Sequence, residues 1–210
     1  MSTSVYLIRH AAYDHRPSAE GTEASSDFGL SALGLAQAQA LCERLAVSRE
    51  IEADALFSST LPRARQTAAL VSPVLDLEPQ AIAELCEWES GNEILGADAF
   101  MKTFRELDPA QRRHHRFVPG FETVHEFTSR VQGKLAELVE RHRDRTIVLV
   151  VHGGVIEVTF HHFLGFGPGP FEGGYPAAGN TSITLWRKSS RREGWVQEFA
   201  NDTHHLRGMA

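Results

Sequence analysis

The chain has 210 residues, of which 42% are hydrophobic and 23% charged, and its formal net charge at pH 7 is −6. These values fit one globular domain with an apolar core and exclude a disordered or fibrous chain; the acidic balance gives no sign of a nucleic-acid surface. No apolar run reaches the roughly 20 residues that span a bilayer. Two cysteines, Cys42 and Cys86, cannot build a disulfide framework, and there is no Cys-x-x-Cys pair to hold zinc. The start of the chain lacks the cationic and apolar pattern of a secretory signal, so the expected compartment is the reducing cytosol. The unusual number is 11 histidines, and composition assigns them no role.

In chain order, Val5–Ile8 is a short apolar run and reads as a first strand. Arg16 to Gly29 is rich in Gly, Ser, Pro and acids and reads as a loop. Ser31 to Val47 reads as a helix, with Ala38, Leu41 and Leu45 on one face. Ala55–Ser58 reads as a second strand. A helix follows from Leu61, with Pro62 tolerated in its first turn and Pro73 expected to stop it. Glu89 to Gly120 is polar and reads as part helix, part loop, a cap inserted over the domain. Thr123-Val-His-Glu126 fits a capping box. The helix behind it carries Phe127, Val131, Leu135, Leu138 and His142 on one face. Thr146–Val151 is apolar throughout and β-branched for the most part, as a central strand covered on both faces would be. His152-Gly-Gly opens a helix to Leu164. Gly165 to Gly179 holds six glycines and three prolines and reads as a loop, either a lid or an ordinary connection. Thr181–Trp186 and Trp195–Phe199 read as strands.

Strands alternating with helices predict an α/β fold, a three-layer sandwich whose mostly parallel sheet carries helices on both faces. Ligands of such sheets sit beyond the carboxyl ends of the strands. Arg9 and His10 end the first strand, Arg63 starts the helix after the second, and His152 ends the apolar strand. Two cationic forks and two imidazoles therefore converge on one edge. Guanidinium groups hold phosphate oxygens by paired, charge-assisted hydrogen bonds. Amides of a Gly-Gly turn at a helix start add donors. A neutral imidazole can attack phosphorus through one nitrogen if the other is fixed. A carboxylic acid can protonate the leaving oxygen, and fixed cations can do the charge stabilisation for which other enzymes use a metal.

With these residues the sequence resembles the histidine phosphatase superfamily, which includes the cofactor-dependent phosphoglycerate mutases. The resemblance is carried by Leu7-Ile8-Arg9-His10, by Leu30-Ser31-Ala32-Leu33-Gly34 with Gln37-Ala38, and by the run from Ser58 to Ala68 that contains Arg63. It continues through Leu85-Cys86-Glu87 with Gly91, Gly120-Phe121-Glu122-Thr123 and Val151-His152-Gly153-Gly154. It implies a phosphoglycerate mutase-like fold over residues 1–210 with the cap around 89–120. It also implies His10 as nucleophile, Glu87 as acid and then base, and Arg9, Arg63, His152 and Gly153 as the phosphate pocket, with Arg16 a further substrate contact. No cofactor and no metal are expected. The partner is a small phosphorylated substrate, with no nucleic acid and no membrane, and the chain is compatible with a homodimer. The family usually has Gly after the Arg-His pair, often followed by an acid, where this chain has Ala11 and Ala12.

The expected activity is metal-independent hydrolysis of a phosphomonoester through a phosphohistidine on His10. Two alternatives share the motifs. One is phosphoglycerate mutase-type transfer, disfavoured by the short chain. The other is a non-catalytic phospholigand-binding domain, for which Ala11 is the only argument. Residue types alone leave Glu84, Glu87 and Glu89 open as the acid; the motif selects Glu87. Arg112 to Arg116 could meet an anionic substrate or form a solvated face. The pairs His161-His162 and His204-His205 look like metal ligands, but adjacent side chains on a helix do not face one site.

Overall fold

The computed structural model describes residues 2–15, 27–166, 174–189 and 194–209. A six-stranded sheet is built from β1 (Ser4–Arg9), β4 (Ala55–Ser59), β5 (Pro79–Ile82), β6 (Thr146–Val151), β7 (Ile183–Ser189) and β8 (Gly194–Asp202), in the order β5-β4-β6-β1-β7-β8. The strands β5, β4, β6 and β1 run parallel, and β7 and β8 add an antiparallel edge. A separate two-stranded ribbon pairs β2 (Tyr13–His15) with β3 (Asp27–Leu30).

Alternation along β1 explains the three layers, because successive side chains of a strand point to opposite faces. Val5 and Leu7 pack on one side with Phe127, Val131, Leu135 and Leu138 of α6 (Val124–Arg141) and Val155, Ile156 and Val158 of α7 (Gly153–Leu164). Tyr6 and Ile8 pack on the other with Leu41, Cys42 and Leu45 of α1 (Ala32–Ser48) and Ala68 and Val71 of α2 (Pro62–Leu75). The apolar run of β6 lies at the middle of the sheet, and its residues Ile147 to Val151 are fully buried. The helix starts follow the sequence: Ser31 caps α1 through the Gly34 amide, and Thr123 and Glu126 complete the capping box of α6.

The segment expected to be part helix and part loop holds three short helices, α3 (Asn92–Leu95), α4 (Ala97–Glu106) and α5 (Pro109–His114). Phe100 and Phe117 stack there on Phe104 and meet Trp88 edge-on.

Among the described residues the structure departs from the sequence reading in several places, β2 being one that it did not give. Pro73 lies inside α2 rather than ending it. It sits in the last turn, so the single amide bond it removes is near a frayed end. The helix instead closes at Asp76, whose left-handed backbone sends its N–H to the Ser72 carbonyl. Asp27–Leu30 is a strand where a loop was expected through Gly29, because β2 supplies it with a partner. The short strand β5, with few large apolar side chains, has no clear signal in the sequence and forms by pairing with β4.

Candidate active site

The register of the central strands fixes the site. On one side of β6, Arg9 pairs with Val151, and on the other Ser58 pairs with Val150. The residues that follow, His10, Ser59 and His152, therefore lie next to one another. The rings of His10 and His152 are 5.0 Å apart between centroids. Both histidines are buried, at 3% and 0% exposure.

The hydrogen bonds of His10 fix its tautomer. Its Nδ1 lies 2.8 Å from the Ala11 carbonyl. A carbonyl only accepts, so Nδ1 carries the hydrogen and Nε2 the lone pair. Arg63 Nε donates to that lone pair at 3.2 Å. Burial pushes the His10 pKa down to about 3; the bond to Ala11 opposes this, and the nearby charges of Arg63 and Arg9 add to it. The ring is therefore neutral at physiological pH. Its backbone is held as well, since Asn180 donates from Nδ2 to the His10 carbonyl at 2.9 Å. Ala11 is fully buried and sends its amide to Thr67 Oγ1. Neither Ala11 nor Ala12 has a left-handed backbone, so alanine occupies the usual glycine position without backbone strain.

Arg63 is aimed by Asp27. The carboxylate accepts from Arg63 Nη1 at 2.8 Å and from the Arg63 backbone amide at 3.3 Å. The pair is buried, with side-chain exposures of 11% and 4%. The Arg63 guanidinium also lies over the Tyr13 ring, which meets His10 edge-on. Arg9 donates from Nη1 to the Ala178 carbonyl. Its Nε is buried with no hydrogen-bond partner among the described residues. Burial lowers the Arg9 pKa, and Glu87 is the main charge that supports its cation.

His152 shows a complementary pattern. Ser59 Oγ lies 2.7 Å from its Nε2, while its Nδ1 is buried without a partner among the described residues. Burial, then the charge of Arg63, holds its pKa well below the usual histidine range. The Ser59 hydroxyl can donate or accept there, and where it donates to Nε2 the hydrogen of the neutral ring is on Nδ1. Gly153 opens α7 beside the Arg9 guanidinium, where first-turn amides have no intrahelical acceptor.

Glu87 reaches the same helix. Its Oε2 accepts from the Gly154 amide at 3.0 Å and its Oε1 from the Trp88 amide at 2.9 Å. Of the three acids the sequence left open, Glu84 instead pairs with Lys134, and Glu89 uses its carbonyl to accept the Glu122 amide.

The structure thus gathers Arg9, His10, Arg63, Glu87, His152 and Gly153. Arg16 lies outside the described residues. Arg112 and Arg116 are spent elsewhere: Arg112 bonds the carbonyls of Leu107 and Arg105 and covers Phe104, and Arg116 bonds Phe121 and Glu126. His205 bonds Thr181, at the turn that leads into β7. Among the described residues no cluster of three His, Cys, Asp or Glu side chains is placed to hold a metal ion.

Sequence reasoning missed Asp27, Asn180 and the Ala178 carbonyl, which lie in or beside Gly-rich loops without periodicity. It placed Ser59 at the strand end without giving it a partner.

The sequence profile of the histidine phosphatase superfamily (branch 1) matches residues 5–203. The chain belongs to that superfamily. As a histidine phosphatase it is 26% identical over 172 residues to a metal-independent phosphoserine phosphatase of Arabidopsis thaliana, covering 75% of this chain and 67% of the relative. It is 25% identical over 217 residues to the probable phosphoglycerate mutase GpmB of Salmonella paratyphi C, covering 96% and 94%. Its fold is similar to that of a phosphoserine phosphatase variant from Entamoeba histolytica solved with phosphoserine. That match has a TM-score of 0.71 and 23% identity and covers 97% of this chain and 99% of the other. The chain is thus an enzyme of the histidine phosphatase type with a phosphoglycerate mutase-like fold.

Proposed function

We propose that the chain hydrolyses small phosphomonoesters through a phosphohistidine on His10, without a metal. The observation that carries this reading is a neutral imidazole flanked by two buried nitrogens, Arg9 Nε and His152 Nδ1, that have no partner among the described residues, the second being a donor when Ser59 donates to Nε2. Buried donors are nearly always paired. Their natural partner here is the oxygens of a phosphoryl group that Arg63 also reaches.

The lone pair of His10 Nε2 attacks phosphorus, and the bond from phosphorus to the ester oxygen breaks. Arg9, Arg63, His152 Nδ1 and the first-turn amide at Gly153 hold the equatorial oxygens as charge redistributes. Glu87 gives a proton to the departing oxygen. Water, losing its proton to Glu87, then attacks the phosphohistidine, which releases inorganic phosphate and restores the imidazole. On this reading residues 1–210 form one catalytic domain, 89–120 are its cap, and the enzyme works in the cytosol.

The test is rapid quenching after mixing with a phosphomonoester, followed by mass spectrometry. Acid-labile phosphate on His10 is expected, with turnover unchanged by a chelator. His10→Ala is expected to abolish the adduct and to lower kcat at least about a thousandfold, as loss of a covalent nucleophile does. Full activity in that variant would refute the mechanism.

The similarity to GpmB favours mutase chemistry as a second reading. A phosphoglycerate presents a second anion, and Arg112 and Arg116, which could have met it, are engaged elsewhere. Hydrolysis is therefore preferred. Conversion of 3-phosphoglycerate to its 2-isomer with little phosphate release would reverse the choice.

A further inference from the structure

We propose that Glu122 and Arg130 are positioning residues that hold Glu87 in place for proton transfer; this rests on the reading of Glu87 as the acid. Glu87 lies on an irregular stretch between a 3-10 turn at Ala83–Leu85 and α3. Such backbone has no ladder of its own, so an acid placed on it must be fixed from outside. Arg130, on α6, supplies the fixing.

Two of its nitrogens, Nε and Nη2, fork onto the two Glu122 carboxylate oxygens, each at 2.7 Å. The third, Nη1, donates to the Glu84 carbonyl at 2.7 Å and to the Cys86 carbonyl at 3.3 Å. Glu122 grips the other side of the acid. Its carbonyl accepts the Trp88 indole N–H at 3.0 Å, and its amide donates to the Glu89 carbonyl at 3.1 Å. The residues before and after Glu87 are therefore tied to one ion pair, and the pair is anchored on the capped start of α6.

Arginine is needed for this. A guanidinium offers a planar fork for the carboxylate and a further edge for the carbonyls, and an ammonium offers neither together. The residues of the pair do not bond the reacting histidines; the Arg130 charge does act on His152 at a distance, and Arg130→Lys keeps that charge while removing the fork, which separates the two effects.

Action through Glu87 gives a signature which mere destabilisation lacks. An acid matters most for a leaving alcohol that cannot depart as an anion and least for a nitrophenol that can. The experiment compares kcat/KM for p-nitrophenyl, phenyl and 2-phenylethyl phosphate in the wild type, Glu87→Gln, Arg130→Lys, Arg130→Met and Glu122→Gln. Because each comparison is a ratio between substrates on one sample, any unfolded fraction cancels.

For Glu87→Gln, the loss on the alkyl ester is expected to exceed that on the nitrophenyl ester by roughly a hundredfold, within the usual range for general acid catalysis. The clamp variants are expected to show the same trend at about tenfold, and Glu122→Gln combined with Arg130→Met to cost no more than Arg130→Met alone. A selective Glu87→Gln with clamp variants that lose activity equally on all three esters, or not at all, overturns the proposal. A Glu87→Gln without selectivity overturns the assignment of the acid itself.

Discussion

The buried pair of Asp27 and Arg63 sets the geometry of one phosphate-binding cation, and its disruption has a calculable direction. Asp27→Asn keeps the shape and removes the charge, leaving Arg63 buried beside a neutral amide. Breaking one partner of such a pair costs about 3 kcal/mol of stability, readable by urea unfolding. Its expected effect on turnover is an increase in KM of about tenfold, equivalent to roughly 1.4 kcal/mol of lost orientation. His10 makes a second residue-level prediction. In the unfolded chain it takes up a proton near pH 6.5, but in the folded protein only near pH 3. Between those values the unfolded state binds more protons, so stability is lost as the pH falls through this window. His10→Gln is expected to flatten the fall in unfolding free energy between pH 6.5 and 5. The sequence pointed to His10, Arg63 and His152 because strand ends and helix starts are legible as patterns. Asp27 was not legible, since nothing in a Gly- and Ser-rich stretch says which carboxylate will be carried across to an arginine 36 positions later.

At the scale of the element, α2 and α7 share a device. Both begin at the site, and neither has a side-chain cap from its own N-cap residue. Their first turns are served by carboxylates from elsewhere, Asp27 on the Arg63 amide and Glu87 on the Gly154 amide. The positive helix ends thus hold the acids near the reaction instead of being quenched locally. Gly154 is where this can be probed. A Cβ added there would lie 2.3 Å from Glu87 Oε1, so the carboxylate must move. Alanine gains up to about 1 kcal/mol over glycine in a helix interior and less in a first turn, and the new Cβ would also lie 3.3 Å from Phe127 Cζ. Gly154→Ala is therefore expected to leave Tm close to that of the wild type while lowering turnover of alkyl phosphates about tenfold or more. A variant with lower Tm and unchanged turnover would contradict the coupling. Elements of this kind differ in how openly the sequence announces them. The long periodic runs of α1 and α6 and the apolar β6 were plain, whereas β2, β3 and β5 exist only because another strand offers hydrogen bonds.

For the whole molecule, the order of strands in space matters more than their order in the chain. β1 carries Arg9 and leads into His10, yet its two neighbours are β6 and β7, formed by residues 146–151 and 183–189. Loop closure over such separations must precede the contacts that reward it. The turn at Asn180 and Thr181 then completes the frame around Arg9 and His10, because Thr181 donates its amide to the Arg9 carbonyl and Asn180 bonds that of His10. A chain cut before residue 180 is expected to bind no phosphate and to lack the cooperative unfolding transition of the full chain, as calorimetry would show.

The same placement of β1 bears on synthesis. β1 leaves the ribosome well before β6 and β7 and waits, unpaired on both edges, until they have followed. An apolar strand in that condition is a template for pairing with other nascent chains. Slowing translation between β1 and β7 should therefore lower the soluble yield, whereas slowing it before β1 is made should not.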